Sequence, residues 1–265
     1  MLLSIVTPSF NQGRYIEETI RSVLSQDYPH VEYLIIDGAS TDSTVDILRK
    51  YQHKLTWWVS EKDQGQTDAI NKGFARAQGD VLAWINSDDT FEPGAFTAAM
   101  TCLKDHPQVG MVYGDCNYIN ESGVVIGKFH AAQTTYQLLR QGYTHIPQQT
   151  MFLRAELWRR VGPLDPSFYF AMDYDLWTRI AARAPIKYIP QTWANFRLHT
   201  AGKTVLADER CWPEMIRVHY RDGGSPFSLI VAKYYLRKFM APLWNRRKHS
   251  MLKKASNVSR RWIAP

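Results

Sequence analysis

Two apolar runs of this 265-residue chain end abruptly in acidic turns, and this pattern limits the folds that are open to it. Residues 81–85 (VLAWI) lead into 86–89 (NSDD), and residues 33–36 (YLII) lead into 37–42 (DGASTD). Short apolar runs bounded by turn residues are typical of strands buried in a sheet. In open α/β sheets, ligands bind beyond the carboxyl ends of the strands. We therefore expect both acidic turns to lie at one edge of a sheet and to face one ligand.

Extended and helical patterns alternate along the chain. Residues 2–6 predict a strand, and residues 14–26 have apolar side chains at helical spacing. The alternation continues with helices expected near 41–50, 67–77 and 94–103, strands near 55–59 and 110–113, and a hairpin at 115–129. A further helix is expected after Met172 and ends before Pro185. Strands and helices in alternation indicate a doubly wound α/β fold.

Length and cysteine content limit the number of domains and the compartment. A chain of this length with 45% hydrophobic residues has an ample core for one large domain with an appendage. Cys102, Cys116 and Cys211 are an odd number without metal-ligand spacing, which favours free thiols in a reducing compartment. The first residues lack the basic region of a signal peptide, and no apolar run approaches the roughly 18 residues of a spanning helix. We expect a cytoplasmic protein.

Positive charge is concentrated at the carboxyl-terminal end. Residues 223–265 hold ten Lys or Arg and no Asp or Glu, and subtracting this +10 from the net +7 leaves about −3 for residues 1–222. We therefore predict a main domain at 1–222 and a basic amphipathic extension at 223–265. Aromatic and aliphatic side chains between the basic ones suit a helix at an anionic membrane surface. The alternatives are a basic helix packed on the domain and a disordered solubilising tail. Because no nucleic-acid motif is present, nucleic acid is not an expected partner.

The turn at Asp88 and Asp89 suits a divalent cation. Adjacent carboxylates repel each other, and a hard cation relieves this repulsion. A solvated turn that caps the following helix is the alternative interpretation. In the other turn, Asp37 is suited to accept hydrogen bonds from a nucleobase or ribose, and Gly38 lets the backbone approach closely.

Four blocks of sequence together resemble one known family. They are residues 4–11 (SIVTPSFN), 36–42 (IDGASTD), 84–89 (WINSDD) and 172–179 (MDYDLWTR). In this order and approximate spacing, they resemble the family 2 glycosyltransferases of the GT-A fold, over about residues 3–200. The resemblance implies a Rossmann-like central mixed sheet flanked by helices, in a catalytic domain at 1–222 that the basic helical extension follows.

The resemblance also implies a site for a nucleotide-diphosphate sugar donor. Asn86 stands where the family often has the first Asp of an Asp-x-Asp motif, and this replacement removes one negative charge. An ordinary loop and a capped helix are the alternative for the stretch that contains Lys62, Asp68 and Asn71. The implied nucleotide-binding residues are Thr7, Pro8, Phe10, Asp37, Lys62 and Asn86, and the implied donor-sugar residues are Asp68 and Asn71.

A metal site is implied at the second acidic turn, with Mn²⁺ or Mg²⁺ as the cofactor. Asp88 matches the metal-binding carboxylate of the family motif, and Asp89 is expected to compensate for Asn86. His199 resembles a histidine that some members of the family place near the metal or the diphosphate. A structural or exposed histidine is the alternative.

Asp173 matches the family's catalytic base, which must lie within hydrogen-bond reach of the acceptor hydroxyl. Met172 replaces the Glu that precedes this Asp in the family motif. Asp175 is expected to stabilise the helix start, and Arg179 to form an i,i+4 ion pair with it. Candidates for an acceptor pocket are His145, Gln148 and Gln149.

The implied reaction is an inverting transfer of a sugar from a nucleotide-diphosphate donor, with a uridine donor favoured, to a hydroxyl of a saccharide or lipid-linked saccharide. Such an enzyme would serve cell-surface polysaccharide synthesis, either free in the cytoplasm or peripherally on the inner face of the cell membrane. A non-catalytic nucleotide-sugar or glycan-binding module is the alternative, suggested by Asn86 and Met172. A dehydrogenase would need a Gly-x-Gly-x-x-Gly turn after the first strand, which residues 7–11 lack. A nucleotidyltransferase would release pyrophosphate instead of nucleoside diphosphate.

Overall fold

A computed structural model describes residues 1–199, 203 and 211–239 of the chain. Within these residues, nine strands form one mixed sheet. The strands are β1 (Leu3–Ser9), β2 (Val31–Asp37), β3 (Trp57–Ser60), β4 (Val81–Trp84), β5 (Thr90–Phe91), β6 (Met111–Ile119), β7 (Val125–Phe129), β8 (Phe152–Arg154) and β9 (Ile186–Arg197). Their order across the sheet is β3-β2-β1-β4-β8-β6-β9-β5, and β7 pairs with the last residues of β6.

One half of the sheet is parallel and brings the predicted loops to one edge. Strands β3, β2, β1 and β4 run in the same direction, with Ser9 opposite Asp37 and Asp37 opposite Ser60. The loops after these strands therefore start side by side, as the sequence predicts. Since β4 is buried throughout and ends at Trp84, the following Asn86 to Asp89 turn emerges at the same edge.

The other half of the sheet contains the long strand β9. It runs parallel to β6 and antiparallel to β5, with Thr90 opposite Asn195 and Phe91 opposite Ala194. This pairing brings the end of β9 beside the acidic turn that precedes β5. The strand is absent from the sequence predictions because Pro190 and several polar residues interrupt its apolar pattern.

Helices cover the sheet, and they are α1 (Ile16–Leu24), α2 (Thr44–Tyr51), α3 (Gln66–Arg76), α4 (Ala95–Asp105), α5 (Tyr136–Arg140), α6 (Ala155–Val161), α7 (Met172–Ala181) and α8 (Cys211–Arg221). Helix α3 packs closely on the parallel strands at Gly73. A Cβ at this position would lie 2.5 Å from Cγ1 of Val6 and 2.7 Å from Cδ1 of Ile36. Glycine therefore allows α3 to pack closely on the sheet.

Buried apolar side chains form two clusters, one on each face of the sheet. Successive residues of a strand point to opposite faces, so that Ile5 belongs to one cluster and Val6 to the other. Helix α7 packs in the same cluster as Val6, through Leu176 and Ile180. Cys102, Cys116 and Cys211, which lie within the described residues, form no disulfide bond with one another.

The described part of the predicted extension packs against the main domain. Residues 229–239 are helical, and Ile230 and Val231 are buried in the cluster that contains α7. The division into a main domain at 1–222 and an extension at 223–265 stays a prediction. The rest of the predicted extension, residues 240–265, lies outside the described residues. Among the described helices, none has the length and apolar character needed to cross a membrane.

Candidate active site

The loops after β1 and β2 are tied to each other by hydrogen bonds. The backbone N–H of Asn11 donates to Oγ of Ser40 at 2.7 Å, and the N–H of Thr41 donates to Oδ1 of Asn11 at 2.9 Å. Asn11 and Ala39 have φ values of 52° and 63°, the left-handed region that non-glycine residues rarely adopt. These two loops therefore form one wall, in which two residues are held in a rarely adopted backbone conformation. Such strained backbones are common at ligand sites.

Of the predicted nucleotide residues, Thr7 and Pro8 belong to β1, and Phe10 lies in the loop that follows it. Oγ1 of Thr7 lies 3.1 Å from the hydroxyl of Tyr33, and Thr7 is fully buried. Pro8 is the next residue of the strand and pairs with Ile36 of β2. Phe10 follows the strand with 60% of its surface exposed, so its ring is free to stack on a ligand.

The carboxylate of Asp37 faces the protein. Its oxygens accept hydrogen bonds from the N–H and hydroxyl of Ser40, at 2.9 and 2.5 Å, and from the hydroxyl of Ser60 at 2.6 Å. Asp37 is fully buried. Asp37 therefore joins the turn after β2 to the end of β3. Its contact with the nucleobase stays a prediction.

Three predicted donor-site residues surround the start of α3. Lys62 is exposed, and the carboxylate of Asp68 accepts from the N–H of Gln64 at 3.1 Å, which closes the loop onto the helix. The side-chain amide of Asn71 bonds the backbone N–H and C=O of Leu164, at 2.9 and 2.8 Å. These bonds correspond to the loop-and-cap alternative for Asp68 and to a structural role for Asn71. Contacts with a sugar or a diphosphate remain predictions.

Asn86 connects the acidic turn to its surroundings. Its Oδ1 accepts from Nε2 of Gln66 at 2.7 Å, and its Nδ2 lies 3.3 Å from both Oδ2 of Asp89 and Oε1 of Gln148. An aspartate here could not donate to Asp89 as this amide does. Asparagine at this position of the family motif therefore suits the neighbouring carboxylate of Asp89, to which it donates a hydrogen bond.

Asp88 and His199 meet at the edge of the sheet. Nε2 of His199 lies 2.9 Å from Oδ2 of Asp88, and the imidazole packs on the ring of Tyr15 with centroids 5.1 Å apart. This hydrogen bond uses Oδ2 and leaves Oδ1 of Asp88 for a cation. Within the described residues, no group of three or more His, Cys, Asp or Glu side chains is arranged to hold a metal. The site fits Mg²⁺ or Mn²⁺ bound by one carboxylate together with substrate phosphates and water.

Asp89 differs from the prediction that it binds the metal. Its Oδ1 accepts from the backbone N–H of Arg197 at 2.9 Å, and its Oδ2 accepts from Nε2 of Gln149 at 3.0 Å. The residue is fully buried, and both oxygens face protein donors. Burial, reinforced by the charge of Asp88, raises the pKa of Asp89 well above its usual range. Asp89 therefore holds β9 against the acidic turn, which the sequence alone did not reveal.

Arg197 is a buried residue of the site that the sequence analysis missed. Its Nε donates to the backbone C=O of Asp88 at 2.8 Å, and its Nη2 lies 2.6 Å from Oε2 of Glu18. Its Nη1 donates to the carbonyls of Asn120 and Glu121, in the hairpin between β6 and β7. The guanidinium thus joins the acidic turn, α1 and the hairpin. Its position two residues before His199 was the one signal available in the sequence.

A cavity of about 370 Å³ lies between the acidic turn and α7. Most of its wall is apolar and aromatic, with amides and two charged side chains among the lining residues. Its polar and charged lining residues include Gln66, Asn86, Gln148, Gln149, Asp173 and Lys203. The candidates Gln148 and Gln149 therefore line the cavity, whereas the exposed ring of His145 stacks on Tyr143.

Asp173 lies in the first turn of α7, at the cavity wall. Its removal from water raises the pKa of Asp173 to about 6, against the opposing charge of Lys203. Burial also lowers the pKa of Lys203, whose Nζ donates to Oε1 of Gln66 at 2.9 Å. A carboxylate with this pKa is ionised at neutral pH and is more basic than an ordinary aspartate, as a general base requires.

Asp175 has the structural role that the sequence predicts. Its carboxylate is fully buried, and Oδ2 lies 2.7 Å from Nη2 and 3.0 Å from Nε of Arg179, one helical turn away. Nη1 of Arg221 contacts its other oxygen. These contacts join α7 to α8 and leave Asp173 as the carboxylate of this helix that faces the cavity.

Sequence comparison identifies the family. Residues 4–162 match the model of glycosyl transferase family 2, which is more than half of the chain. A relative in Bacillus subtilis, the putative teichuronic acid biosynthesis glycosyltransferase TuaG, is 43% identical over 94 residues, or 34% of this chain and 37% of TuaG. An uncharacterized glycosyltransferase of Mycobacterium tuberculosis is 29% identical over 182 residues, covering 68% of each chain. The match thus spans little more than a third of TuaG.

Solved structures share the fold. Staphylococcus aureus TarS 1–349, in complex with UDP-GlcNAc, superposes on 90% of this chain and 73% of its own, with a TM-score of 0.67 at 20% identity. The mannosyltransferase PcManGT from Pyrobaculum calidifontis, in complex with GDP-Man and Mn²⁺, covers 89% of this chain and 69% of its own, with a TM-score of 0.64 at 21% identity. The predicted GT-A arrangement of sheet and helices is confirmed. This chain therefore belongs to glycosyl transferase family 2, a family of glycosyltransferase enzymes.

Proposed function

We propose that this protein transfers a sugar from a nucleotide-diphosphate donor to an acceptor hydroxyl, with inversion at the anomeric carbon. One observation carries the proposal: Asp173, with a pKa of about 6, lines the same cavity as Asn86 of the acidic turn. A base and a diphosphate site are the two functions that a single displacement needs. Family membership supports both assignments.

The residues of the chain divide the reaction between them. Asp173 accepts the proton of the acceptor hydroxyl as that oxygen attacks the anomeric carbon from the face opposite the leaving group. Lys203 and the amides of Gln66 and Gln148 orient the reactants in the cavity. Asp88 holds the divalent cation, with His199 fixing the carboxylate. When bound, Mn²⁺ or Mg²⁺ neutralises charge on the leaving diphosphate.

A uridine diphosphate sugar is the donor that we propose. TarS, which superposes on 90% of this chain, is described in complex with UDP-GlcNAc, although PcManGT is described with GDP-Man. The name of TuaG refers to teichuronic acid biosynthesis, which supports an acceptor in cell-surface polysaccharide synthesis. We take that acceptor to be a saccharide or a lipid-linked saccharide.

Attachment at the inner face of the cell membrane is part of the proposal. The outer surface of the 229–239 helix exposes Leu229, Leu236 and Phe239 beside Lys233 and Lys238. Exposed apolar side chains beside basic ones suit adsorption to anionic lipid. A peripheral enzyme in this position would meet lipid-linked acceptors at the surface where they are carried.

The test is release of nucleoside diphosphate from a panel of UDP-, GDP- and dTDP-sugars, with Mn²⁺ or Mg²⁺ and then with EDTA. Membrane lipid extract serves as the acceptor, and the anomeric configuration of the product is read by NMR. We expect donor-selective, metal-dependent release that Asp88→Ala and Asp173→Asn both abolish, and an inverted product. Nucleotide binding without release in the presence of lipid extract would instead support a non-catalytic binding module, and a retained configuration would exclude the single displacement.

A further inference from the structure

Glu214 of α8 bonds three consecutive backbone N–H groups in front of α7. Its Oε1 accepts from Tyr169 at 3.0 Å, and its Oε2 accepts from Phe170 and Ala171, both at 2.8 Å. The next residues are Met172 and Asp173, with which α7 begins. One carboxylate thus fixes the backbone immediately ahead of the candidate base. Hydrogen bonds from several N–H groups to an ionised carboxylate are stronger than neutral ones.

Helix α8 makes further contacts with the same segment. The guanidinium of Arg217 lies 3.7 Å from the ring centroid of Phe168, and its Nη2 donates to Oγ of Ser167 at 2.7 Å. On the cavity side, Nζ of Lys203 lies 4.1 Å from the ring centroid of Tyr169. The segment before α7 is therefore held from α8 and from the cavity. A change at Glu214 is transmitted to Asp173 through two peptide units.

The charge of Glu214 favours the protonated form of Asp173, and this effect is smaller than that of burial or of Lys203. Among the described residues, the charged groups with an effect on this carboxyl are Lys203, which stabilises its ionised form, and Glu214, which destabilises it. The two groups oppose each other, so that loss of the Glu214 charge makes Asp173 a weaker base. A purely mechanical support would have no such effect.

We propose that Glu214 is a positioning residue that holds the start of α7, and with it the carboxylate of Asp173, in place for proton transfer. The inference rests on the proposed role of Asp173 as the base. The family motif has a Glu next to this Asp, and this chain has Met172 there. A carboxylate nevertheless reaches the helix start, from a helix about forty residues further along the chain.

The experiment compares Glu214→Gln and Glu214→Ala with the wild type and with Glu156→Gln. Glu156 is a matched control, since its side chain is 72% exposed and pairs with Arg160 one helical turn away. The pKa of Asp173 is measured by ¹³C NMR titration of protein labelled at the aspartate carboxyl, with the signal assigned from Asp173→Asn. The pH dependence of kcat/KM, the KM for the donor, the Kd for UDP and the Tm are measured for each variant.

In Glu214→Gln, we expect the Asp173 signal and the acid limb of kcat/KM to move together to lower pH, with kcat about tenfold lower. In Glu214→Ala, loss of the three hydrogen bonds lowers kcat on the order of 10²-fold, because the base is displaced, while the Kd for UDP is unchanged. Glu156→Gln is expected to match the wild type in every measurement.

An unchanged Asp173 titration together with an unchanged kcat in both Glu214 variants overturns the inference. A loss of activity that follows the Tm and the Kd for UDP, with an unmoved pH profile, also overturns it, since Glu214 would then be a stabilising residue only. The NMR titration needs no turnover. An inactive wild type with a shifted Asp173 signal in Glu214→Gln therefore contradicts the proposed function and supports this inference about Glu214.

Discussion

Nε2 of His199 lies 2.9 Å from Oδ2 of Asp88, although 111 residues separate them along the chain. The imidazole is buried and packs on Tyr15, so it has little freedom to turn away. A hydrogen bond from a fixed imidazole orients the carboxylate and directs its second oxygen outward. We therefore propose that Asp88 is a metal ligand and His199 its support, rather than two equivalent ligands.

This relationship predicts different effects of two substitutions on cation binding. Asp88→Ala removes the ligand and should abolish specific Mn²⁺ binding in the presence of UDP. His199→Ala leaves the ligand but frees it, and we expect a 10- to 100-fold weaker Mn²⁺ affinity, roughly the cost of losing such a support. Titration calorimetry with Mn²⁺ and UDP measures both. Exposed His53 provides the control, and equal losses in His199→Ala and His53→Ala would contradict the assignment.

The raised pKa of Asp173 predicts the acid limb of the reaction. The base acts in its ionised form, so activity is full above the pKa of about 6 and falls about tenfold per pH unit below it. Asp173→Asn should lower kcat by about 10²- to 10⁴-fold at pH 7 and leave the Kd for UDP unchanged. Steady-state rates between pH 5 and 8 test this. Asp46→Asn, at an exposed ion pair, should keep the wild-type profile; an acid limb that persists in Asp173→Asn would assign the titration to another group.

The contacts of Arg197 predict that its replacement by alanine causes a large loss of stability. Arg197→Ala leaves the carbonyls of Asp88, Asn120 and Glu121 without their donor and removes the contact with Glu18. We expect the free energy of unfolding to fall by about 3 kcal/mol, because buried acceptors that lose a charged donor are costly. Urea unfolding measures the loss. The exposed ion pair of Arg160 is the control, since Arg160→Ala should leave stability unchanged. Equal midpoints for the two variants would refute the role given to Arg197.

The backbone conformation of Ala39 predicts that its replacement by glycine stabilises the protein. Its φ of 63° disfavours a side chain, and glycine adopts this conformation without that cost. Ala39→Gly should therefore raise stability by up to about 1 kcal/mol. Ala98→Gly in α4 should instead lower it by about 1 kcal/mol, as glycine does within helices. Thermal unfolding compares the two, and a destabilised Ala39→Gly would show that the loop is unstrained.

The exposed face of the 229–239 helix predicts binding to anionic vesicles. Leu236→Glu removes an apolar contact and adds a charge of the wrong sign, so we expect the partition coefficient to fall more than tenfold. Co-sedimentation with phosphatidylglycerol vesicles measures it. Val124→Glu changes the charge equally at a side chain of similar exposure, 59% against 63% for Leu236. An equal loss of vesicle binding in both variants would show that net charge alone explains the effect.

Three strands of the parallel half were accessible from the sequence because they are buried on both faces. β1, β2 and β4 therefore appear as continuous apolar runs that end in polar turns. The long β9 was missed, since it is buried only in part and contains Pro190. The three-residue β8 is too short to give a periodic signal. Local sequence patterns thus predicted the strands that are buried along nearly their whole length.

The same distinction applies to the site. Asn86 and Asp173 lie in short blocks that resemble a family, and the structure places both in the wall of one cavity. The inward orientation of Asp89 depends on Gln149 and on the backbone of Arg197, which are distant in sequence. The contacts of Arg197 and Glu214 likewise join elements that are far apart. No local pattern encodes such contacts, because they depend on how the elements pack.

The pairing of β9 with β5 and β6 has a consequence for the order in which the protein becomes competent during synthesis. The loops after β1 and β2 can associate once the first part of the chain has emerged from the ribosome. His199 and the Arg197 backbone reach the acidic turn only when β9 has paired with β5. The hydrogen bonds that hold Asp88 and Asp89 therefore form late, because they join residues that are far apart in the chain. A nascent chain that stalls before residue 186 would carry Asp88 and Asp89 as unsupported, mutually repelling charges.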